Sequence, residues 1–443
     1  MNNTTIHRQR KSDLGVPELI AIALGGMVGG GIFTILGISV SMIGVFTPVA
    51  LVIGGFMAYL AAYSYIKLGV FYKDEGASYS FFKRTFPNSP FAASLVGWWV
   101  IFGYISTIAL YAYTFSSYAI SSFEFSNNEW VRKIVAGMVI LTFTLINVWS
   151  VKGMGKIEDL MVYSKLVILV VISFVLINNS QTSLPILFEA DNTPLMSILI
   201  VASLTFVAYE GFQLVINAVD NMESPEKNIP KAIYSALFIA ILIYVVIALG
   251  AMLAIPFEDI IENKEYALAS GAGNVLGHWG ADLVVLGALL ATSSAISATL
   301  FGASRQMSVI AKEGYFPSFL TKRVNGIPIK AVITMSAFAF LLILLADLTL
   351  ILEFSSITFL LVSLLMAYAN YRIRYQTKSS AIMTICAMIG LALATGFILY
   401  YEMTNQLEQL YFIGGLYLLL TLSAWAYSKR AKIVGLLHTL KIK

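Results

Sequence analysis

Five glycines fall within seven positions of one long apolar run, between Gly25 and Gly31. Each glycine costs about 0.8–1 kcal/mol relative to alanine inside a helix, so three in succession at 29–31 leave little helical preference. Within a bilayer, non-helical backbone is tolerated only where it is buried in protein or lines a polar cavity. Its freed N–H groups, at the start of a half-helix, suit a carboxylate. Close helix packing is the alternative for the same glycines.

A second apolar run is interrupted near its middle by a glutamate and a glycine, within the segment 206–212. We expect carbonyl groups freed around Phe206–Ala208 to accept hydrogen bonds from an ammonium group. Phe206 and Tyr209 either cover such a site or simply pack. Three roles stay open for Glu210: reading a cationic ligand, sharing a mobile proton, or bonding the frayed backbone of its own helix.

Lys165 lies in a third apolar run and is followed by thirteen residues without a charge. Burying it costs roughly 2.5–3.5 kcal/mol, so an intramembrane lysine is a functional candidate by default. One interpretation makes its ammonium a group that takes up and releases a proton. The alternative is that its flexible stem snorkels to the membrane interface.

The composition indicates what kind of molecule positions these residues. Hydrophobic residues make up 58% of the 443 positions and charged residues 12%, with a mean hydropathy of +0.82. Soluble proteins carry about 25% charged residues, so we expect an all-α polytopic membrane protein with the lipid bilayer as a partner. The single Cys386 excludes an intramolecular disulfide, and three scattered histidines make a metal centre improbable. We expect no cofactor.

Apolar runs bounded by charges and turn residues predict twelve membrane spans. Their ranges are 17–43, 45–67, 91–120, 132–149, 159–178, 195–219, 232–255, 281–304, 330–347, 349–371, 380–401 and 409–428. The segment Gly76–Phe86 is predicted to be either an interfacial helix or a polar loop. The segment Phe257–Leu268 is predicted to be a short acidic helix on the opposite side.

The basic residues predict the orientation, because cytoplasmic segments are enriched in Lys and Arg. With the N-terminus inside, 24 of the 28 lie in cytoplasmic segments: Arg8, Arg10, Lys11, Lys67, Lys73, Lys83, Arg84, Lys152, Lys156, Lys227, Lys231, Arg305, Lys312, Lys322, Arg323, Lys330, Arg372, Arg374, Lys378, Lys429, Arg430, Lys432, Lys441 and Lys443. Both termini are therefore expected in the cytoplasm, with the protein in the plasma membrane. The positive net charge reflects topology, so no nucleic-acid partner is expected.

The two interruptions lie in the first and sixth predicted spans, five spans apart. Interrupted helices in corresponding positions of two halves are typical of inverted-repeat secondary transporters, whose ligand binds between them. The predicted organisation is a cytoplasmic tail at 1–16, a first five-helix repeat at 17–178, a second at 195–371, two further helices at 380–428 and a tail at 429–443.

Several motifs carry a family resemblance. Gly26–Phe33 resembles the first-helix signature of the amino acid-polyamine-organocation (APC) superfamily, and Phe206–Phe212 resembles its sixth-helix signature. The segment Glu223–Ile233 is similar to the motif that follows this sixth helix, with Ser224 in place of the usual asparagine. Ser293-Ser294, Ala303-Ser304-Arg305 and 312–317 match the eighth-helix region. The resemblance covers roughly residues 14–330.

The resemblance implies a LeuT-like fold and transport of amino acids or related amines. Lys165 occupies the fifth-helix lysine position of proton-coupled prokaryotic permeases, which implies coupling to protons, with Ser293 and Ser294 beside it. Substrate contacts are expected at nine positions: Met27, Gly29, Gly30, Gly31, Phe206, Val207, Ala208, Tyr209 and Glu210. Tyr104, Ser106 and Tyr111 are weaker candidates.

The function predicted is therefore proton-coupled symport of a small amino acid by alternating access. A proton-independent exchanger of amino acids or amines on the same fold is the alternative. An intramembrane enzyme would need acids, histidines or cysteines converging at membrane depth, where only Lys165 and Glu210 are expected, so we predict no catalytic residues. A channel would need pore-lining rings in place of paired broken helices. The oligomeric state and the particular substrate stay open.

Overall fold

The computed structural model describes residues 14–149, 151–180, 193–263 and 266–440, with the backbone alone at 151–159, 220–221 and 430–440. The predicted tails are 1–16 and 429–443. Most of the first lies outside the described residues, and for most of the second only the backbone is described. The described residues contain α-helices and short 3-10 segments and no β-strand. This confirms the all-α class that composition predicts.

Sixteen α-helices are formed by the described residues. They are α1 (Val16–Met27), α2 (Gly30–Ile43), α3 (Thr47–Tyr72), α4 (Ala77–Thr85), α5 (Pro90–Ala119), α6 (Glu129–Trp149), α7 (Val151–Asn178), α8 (Leu195–Leu204), α9 (Pro225–Ala254), α10 (Phe257–Glu262), α11 (Ala267–Leu276), α12 (His278–Lys312), α13 (Ile329–Leu345), α14 (Leu348–Arg372), α15 (Ala381–Asn405) and α16 (Leu407–Leu440). Ten stretches among the described residues are long and apolar enough to cross a membrane.

Several helices extend beyond the predicted spans because their polar ends still form helix outside the apolar window. α9 begins at Pro225 where the span was predicted from 232, and the backbone of α16 continues to Leu440. The predicted division between the ninth and tenth spans is confirmed. There Asp347 caps α14, its carboxylate accepting a 2.8 Å hydrogen bond from the Leu350 N–H.

The segment between α3 and α5 is a helix, α4, and not a loop. Its aromatic side chains Tyr79, Phe81 and Phe82 are buried against the protein. Tyr79 and Lys83 both donate to the carboxylate of Glu313, just beyond α12. Burial and this carboxylate raise the pKa of the Tyr79 hydroxyl, so it remains a donor at neutral pH. α4 is thereby fastened to the end of α12.

The segment predicted as one short acidic helix at 257–268 holds α10 and the start of α11. In the bundle itself, α12 packs against α1, α5 and α7, and α9 packs against α1, α3 and α7. These elements therefore surround α1 and the polypeptide that follows it, where the glycine-rich interruption lies.

Candidate functional site

The first interruption separates α1 from α2. α1 ends at Met27 and α2 begins at Gly30, so Val28 and Gly29 form a two-residue link outside both helices. The Gly29 N–H donates to the Met27 carbonyl at 2.8 Å. The first N–H groups of α2 have no partner within their own helix, which is the arrangement that accepts an anion.

The second interruption follows α8. A 3-10 segment, Thr205–Tyr209, leads to Glu210 in an extended conformation and to Gly211 at a φ of +122°, before a second 3-10 segment, Phe212–Asn221. A left-handed φ of this kind favours glycine because other residues clash there. The sixth predicted span is thus interrupted at its glutamate and glycine, as the sequence predicted.

The two interruptions touch. A Cβ at Gly211 would lie 2.6 Å from the carbonyl carbon of Gly26, and one at Gly31 would lie 3.0 Å from the Cα of Ala208. A Cβ at Gly29 would lie 2.5 Å from that of Ala295. The glycines therefore permit close packing, which is the alternative role that the sequence left open. Among the buried N–H groups of this segment, that of Gly29 already donates to the Met27 carbonyl, and those at the start of α2 have no partner within their own helix.

Lys165 is fully buried and reaches the first interruption from α7. Its ammonium donates to the Gly25 carbonyl at 3.1 Å, to the Val28 carbonyl at 2.6 Å and to the Ser294 hydroxyl of α12 at 2.6 Å. Ser293, the preceding residue, is also buried. The side chain thus turns into the bundle and does not snorkel. It joins α1, α7 and α12 at one point.

Two tyrosines bond other carbonyls of the same interruption. The Tyr111 hydroxyl of α5 donates to the Gly26 carbonyl at 3.1 Å. The Tyr244 hydroxyl of α9 lies 2.7 Å from the Met27 carbonyl and 2.9 Å from that of Ala208, and its single proton serves one of them at a time. Tyr244 therefore bridges the two interruptions. Sequence reasoning ranked Tyr111 as weak and did not consider Tyr244, since nothing in an apolar run shows which tyrosine points inward.

The expectation of freed carbonyls in the second interruption needs a correction. The Val207 carbonyl accepts from the Glu210 N–H at 3.1 Å, and the Ala208 carbonyl is close to the Tyr244 hydroxyl. The 3-10 geometry and the neighbouring helix thus already engage two of the three carbonyls. Tyr209 donates to the Leu51 carbonyl of α3 at 2.7 Å, which directs its hydroxyl away from the first interruption.

Glu210 is 3% exposed and is tied to its own segment. The Gln213 amide donates to its carboxylate, and the carbonyl of that amide accepts from the Gly211 N–H at 3.1 Å. This arrangement favours an indirect form of the third role considered above, because the glutamate reaches the frayed backbone through the Gln213 side chain, while its other oxygen, Oε1, is buried without a hydrogen-bond partner. Phe206 and Met27, like the other expected contact residues, are buried.

The expectation that only Lys165 and Glu210 lie at membrane depth is wrong. Glu353 of α14 and Glu402 of α15 are both 0% exposed, and their carboxyl groups face each other. The two helices run in opposite directions, so a residue near the start of α14 meets one near the end of α15. Glu402 fell beyond the predicted eleventh span, and Glu353 lay unremarked inside the tenth.

These features define a polytopic α-helical membrane protein whose two interrupted helices meet inside the bundle, as in secondary transporters. The family model described as amino acid permease matches residues 14–425. The chain therefore belongs to the amino acid permease family, and the resemblance to the APC superfamily is confirmed.

Named relatives agree with this placement. The inner membrane transport protein YbaT of Escherichia coli is 29% identical over 424 residues, covering 95% of this chain and 97% of its own. The branched-chain amino acid permease BcaP of Bacillus subtilis is 25% identical over 347 residues, covering 72% and 71%. Cationic amino acid transporter 7 of Arabidopsis thaliana is 25% identical over 385 residues, covering 81% and 65%. The family and its members are transporters and not enzymes.

Proposed function

We propose that the protein is a proton-coupled symporter that moves a small amino acid across the plasma membrane by alternating access. The proposed architecture has twelve membrane-spanning helices, a LeuT-like pair of five-helix inverted repeats with breaks in the first and sixth spans, two further helices, and both termini in the cytoplasm. Contact between the two interruptions supports this proposal, because paired breaks form the midplane site in such folds.

The proposed substrate contacts follow from backbone chemistry. The carboxylate of the amino acid binds the N–H groups at Gly29–Gly31, at the positive end of α2, and the Gly29 N–H exchanges its bond to the Met27 carbonyl for one to the substrate. Its ammonium binds backbone carbonyls of the two interruptions, each of which has a second lone pair that can accept beside the bond it already makes. Recognition by backbone groups is compatible with any amino acid side chain. The names of the relatives described above mention branched-chain and cationic amino acids.

The proposed coupling group is Lys165. The observation that carries this proposal is the set of three hydrogen bonds from its ammonium to Gly25, Val28 and Ser294. A neutral amine has one fewer N–H to donate, so loss of the proton either releases one of these bonds or reverses the one to Ser294, whose hydroxyl can donate to the amine nitrogen. Protonation and the geometry of the first interruption are therefore linked, which is what coupling of proton and substrate requires.

Uptake into proteoliposomes tests this function. With an imposed inward proton gradient, the wild-type protein should accumulate a substrate amino acid, and Lys165→Ala should lose gradient-driven accumulation. Lys330→Ala, at an exposed lysine of the basic end, is the control. A proton-independent exchanger would give a different result. Its counterflow would be rapid with or without the proton gradient, and Lys165→Ala would show the same counterflow as the wild-type protein.

A further inference from the structure

A cleft of about 670 Å³ opens at the basic end of the bundle, where α3 ends and α9 begins. The loop between α14 and α15, residues 373–380, closes its third side. The proposed function assigns no role to this cleft. Its orientation toward the cytoplasm rests on the topology proposed above.

Three lysines form the rim of the cleft: Lys67, Lys73 and Lys378. Lys67 donates to the Lys378 carbonyl at 3.0 Å, which holds the loop against α3. Lys73 pairs with Glu226 at 3.3 Å, and both side chains are about half exposed. With Glu226 as the one acid among the lining residues, the cleft carries an excess of two positive charges.

Two of these lysines occupy unusual backbone conformations. Lys73 has a φ of +48° and Lys378 a φ of +50°, in the left-handed region that glycine or asparagine adopts more easily. A lysine at such a position is strained, and strain of this kind is commonly found at ligand sites. Lys73 is also the C-cap of α3, where a residue in this conformation commonly ends a helix.

The floor of the cleft is apolar and continues into the bilayer. It includes Val70 of α3 and Tyr234 of α9, and Tyr234 stacks on Tyr59 with ring centroids 4.4 Å apart. One helical turn further into the membrane, Phe56 is 59% exposed and Phe238 68% exposed. An apolar, lipid-facing strip therefore leads directly into a cationic rim.

We propose that this cleft binds an anionic glycerophospholipid of the cytoplasmic leaflet. The phosphate lies among Lys67, Lys73 and Lys378, and an acyl chain follows the strip past Tyr59 and Phe238. Basic pockets between helices at this depth suit such head groups. A soluble phosphate compound could bind the lysines of the rim but has no acyl chain to contact the apolar strip. The geometry therefore points to a lipid.

Native mass spectrometry of the delipidated, full-length protein in detergent tests the proposal. Phosphatidylglycerol and phosphatidylcholine with identical acyl chains are titrated in parallel, and glycerol 3-phosphate serves as the soluble head-group probe. We expect tighter binding of phosphatidylglycerol to the wild-type protein. In the triple variant Lys67→Gln, Lys73→Gln, Lys378→Gln this binding should weaken by about 100-fold, since each basic residue near an anionic head group contributes roughly fivefold.

The matched control neutralises three exposed cations at the same end, in the variant Lys322→Gln, Arg323→Gln, Lys330→Gln. It should retain the preference, and thermal unfolding of each variant reports its fold. Equal binding of both lipids by the wild-type protein overturns the proposal, as does a preference that survives in the triple variant. Full competition by glycerol 3-phosphate would replace the lipid with a soluble phosphate ligand. None of these readouts depends on transport, so they fail or succeed independently of the proposed symport.

Discussion

The ammonium of Lys165 lies 2.6 Å from the carbonyl oxygen of Val28, one of the two residues that link the halves of the first interrupted helix. A cation is thus bonded to the segment whose N–H groups are proposed to bind substrate. The same ammonium also lies 2.6 Å from the hydroxyl of Ser294. One side chain therefore connects this link to two continuous helices, α7 and α12.

Replacing Ser294 with alanine should weaken this connection without removing the charge. Hydrogen bonds to charged groups contribute about 1.5–3 kcal/mol, so Ser294→Ala should lower thermal stability measurably and reduce proton-driven uptake more than counterflow. Ser304→Ala is the matched control, because Ser304 is buried on the same helix and its hydroxyl bonds a carbonyl of that helix. If the two variants lose the same thermal stability and the same proton-driven uptake, the hydrogen bond between Ser294 and the ammonium has no special role.

Removal of the Tyr244 hydroxyl tests the bridge between the two interruptions. A neutral hydrogen bond contributes about 0.5–1.5 kcal/mol, so Tyr244→Phe should slow the initial rate of uptake about 2- to 12-fold if the bridge orders the site. Tyr118→Phe is the control, since that hydroxyl contacts the Phe33 carbonyl at 3.4 Å, within α2. Uptake assays at equal amounts of reconstituted protein compare the two, and an equal loss in both variants would remove the special role of Tyr244.

Close contact between the interruptions predicts a strong effect at Gly211. An alanine there adds about 1–2 kcal/mol of backbone strain, and a further cost of about 1–3 kcal/mol from the clash with Gly26. Gly326 separates the two contributions. Its φ is +83°, yet a Cβ there would meet no atom within 4 Å.

Thermal unfolding in detergent measures the difference. Gly211→Ala should be clearly less stable than Gly326→Ala and should lose uptake. If both variants lose the same stability, backbone strain alone explains the glycine, and the contact with Gly26 contributes nothing.

Much of the fold follows from sequence because hydropathy and glycine act locally. The apolar runs predict the helices, and the glycines near Gly29 and Gly211 predict where two of them break. The direction in which a side chain points within the bundle depends on tertiary packing, which hydropathy does not encode. Tyr244 looks like any aromatic residue in a span, and Glu402 lies where an apolar window ends. Lys165 was identifiable because a lone cation in an apolar run is rare.

Glu210 is the expected site residue whose role the structure narrows most, and two substitutions separate its three roles. Glu210→Gln keeps an oxygen that accepts from the Gln213 amide, so the fold and the uptake of neutral amino acids should be retained. Glu210→Leu leaves that buried amide without its acceptor, which should cost about 1–3 kcal/mol of stability. Thermal unfolding and uptake of both variants therefore test the backbone-bonding role directly.

The other two roles predict different results for the same Glu210→Gln variant. If the carboxylate reads a cationic ligand, a competition panel of amino acids should show selective loss of arginine and lysine binding while neutral amino acids compete as before. If it shares the coupled proton, gradient-driven uptake should fall while counterflow persists. We expect neither change, because the Gln213 amide engages one carboxylate oxygen and the Gly211 N–H engages the same amide in turn; either change would instead assign the role to Oε1, which has no hydrogen-bond partner here.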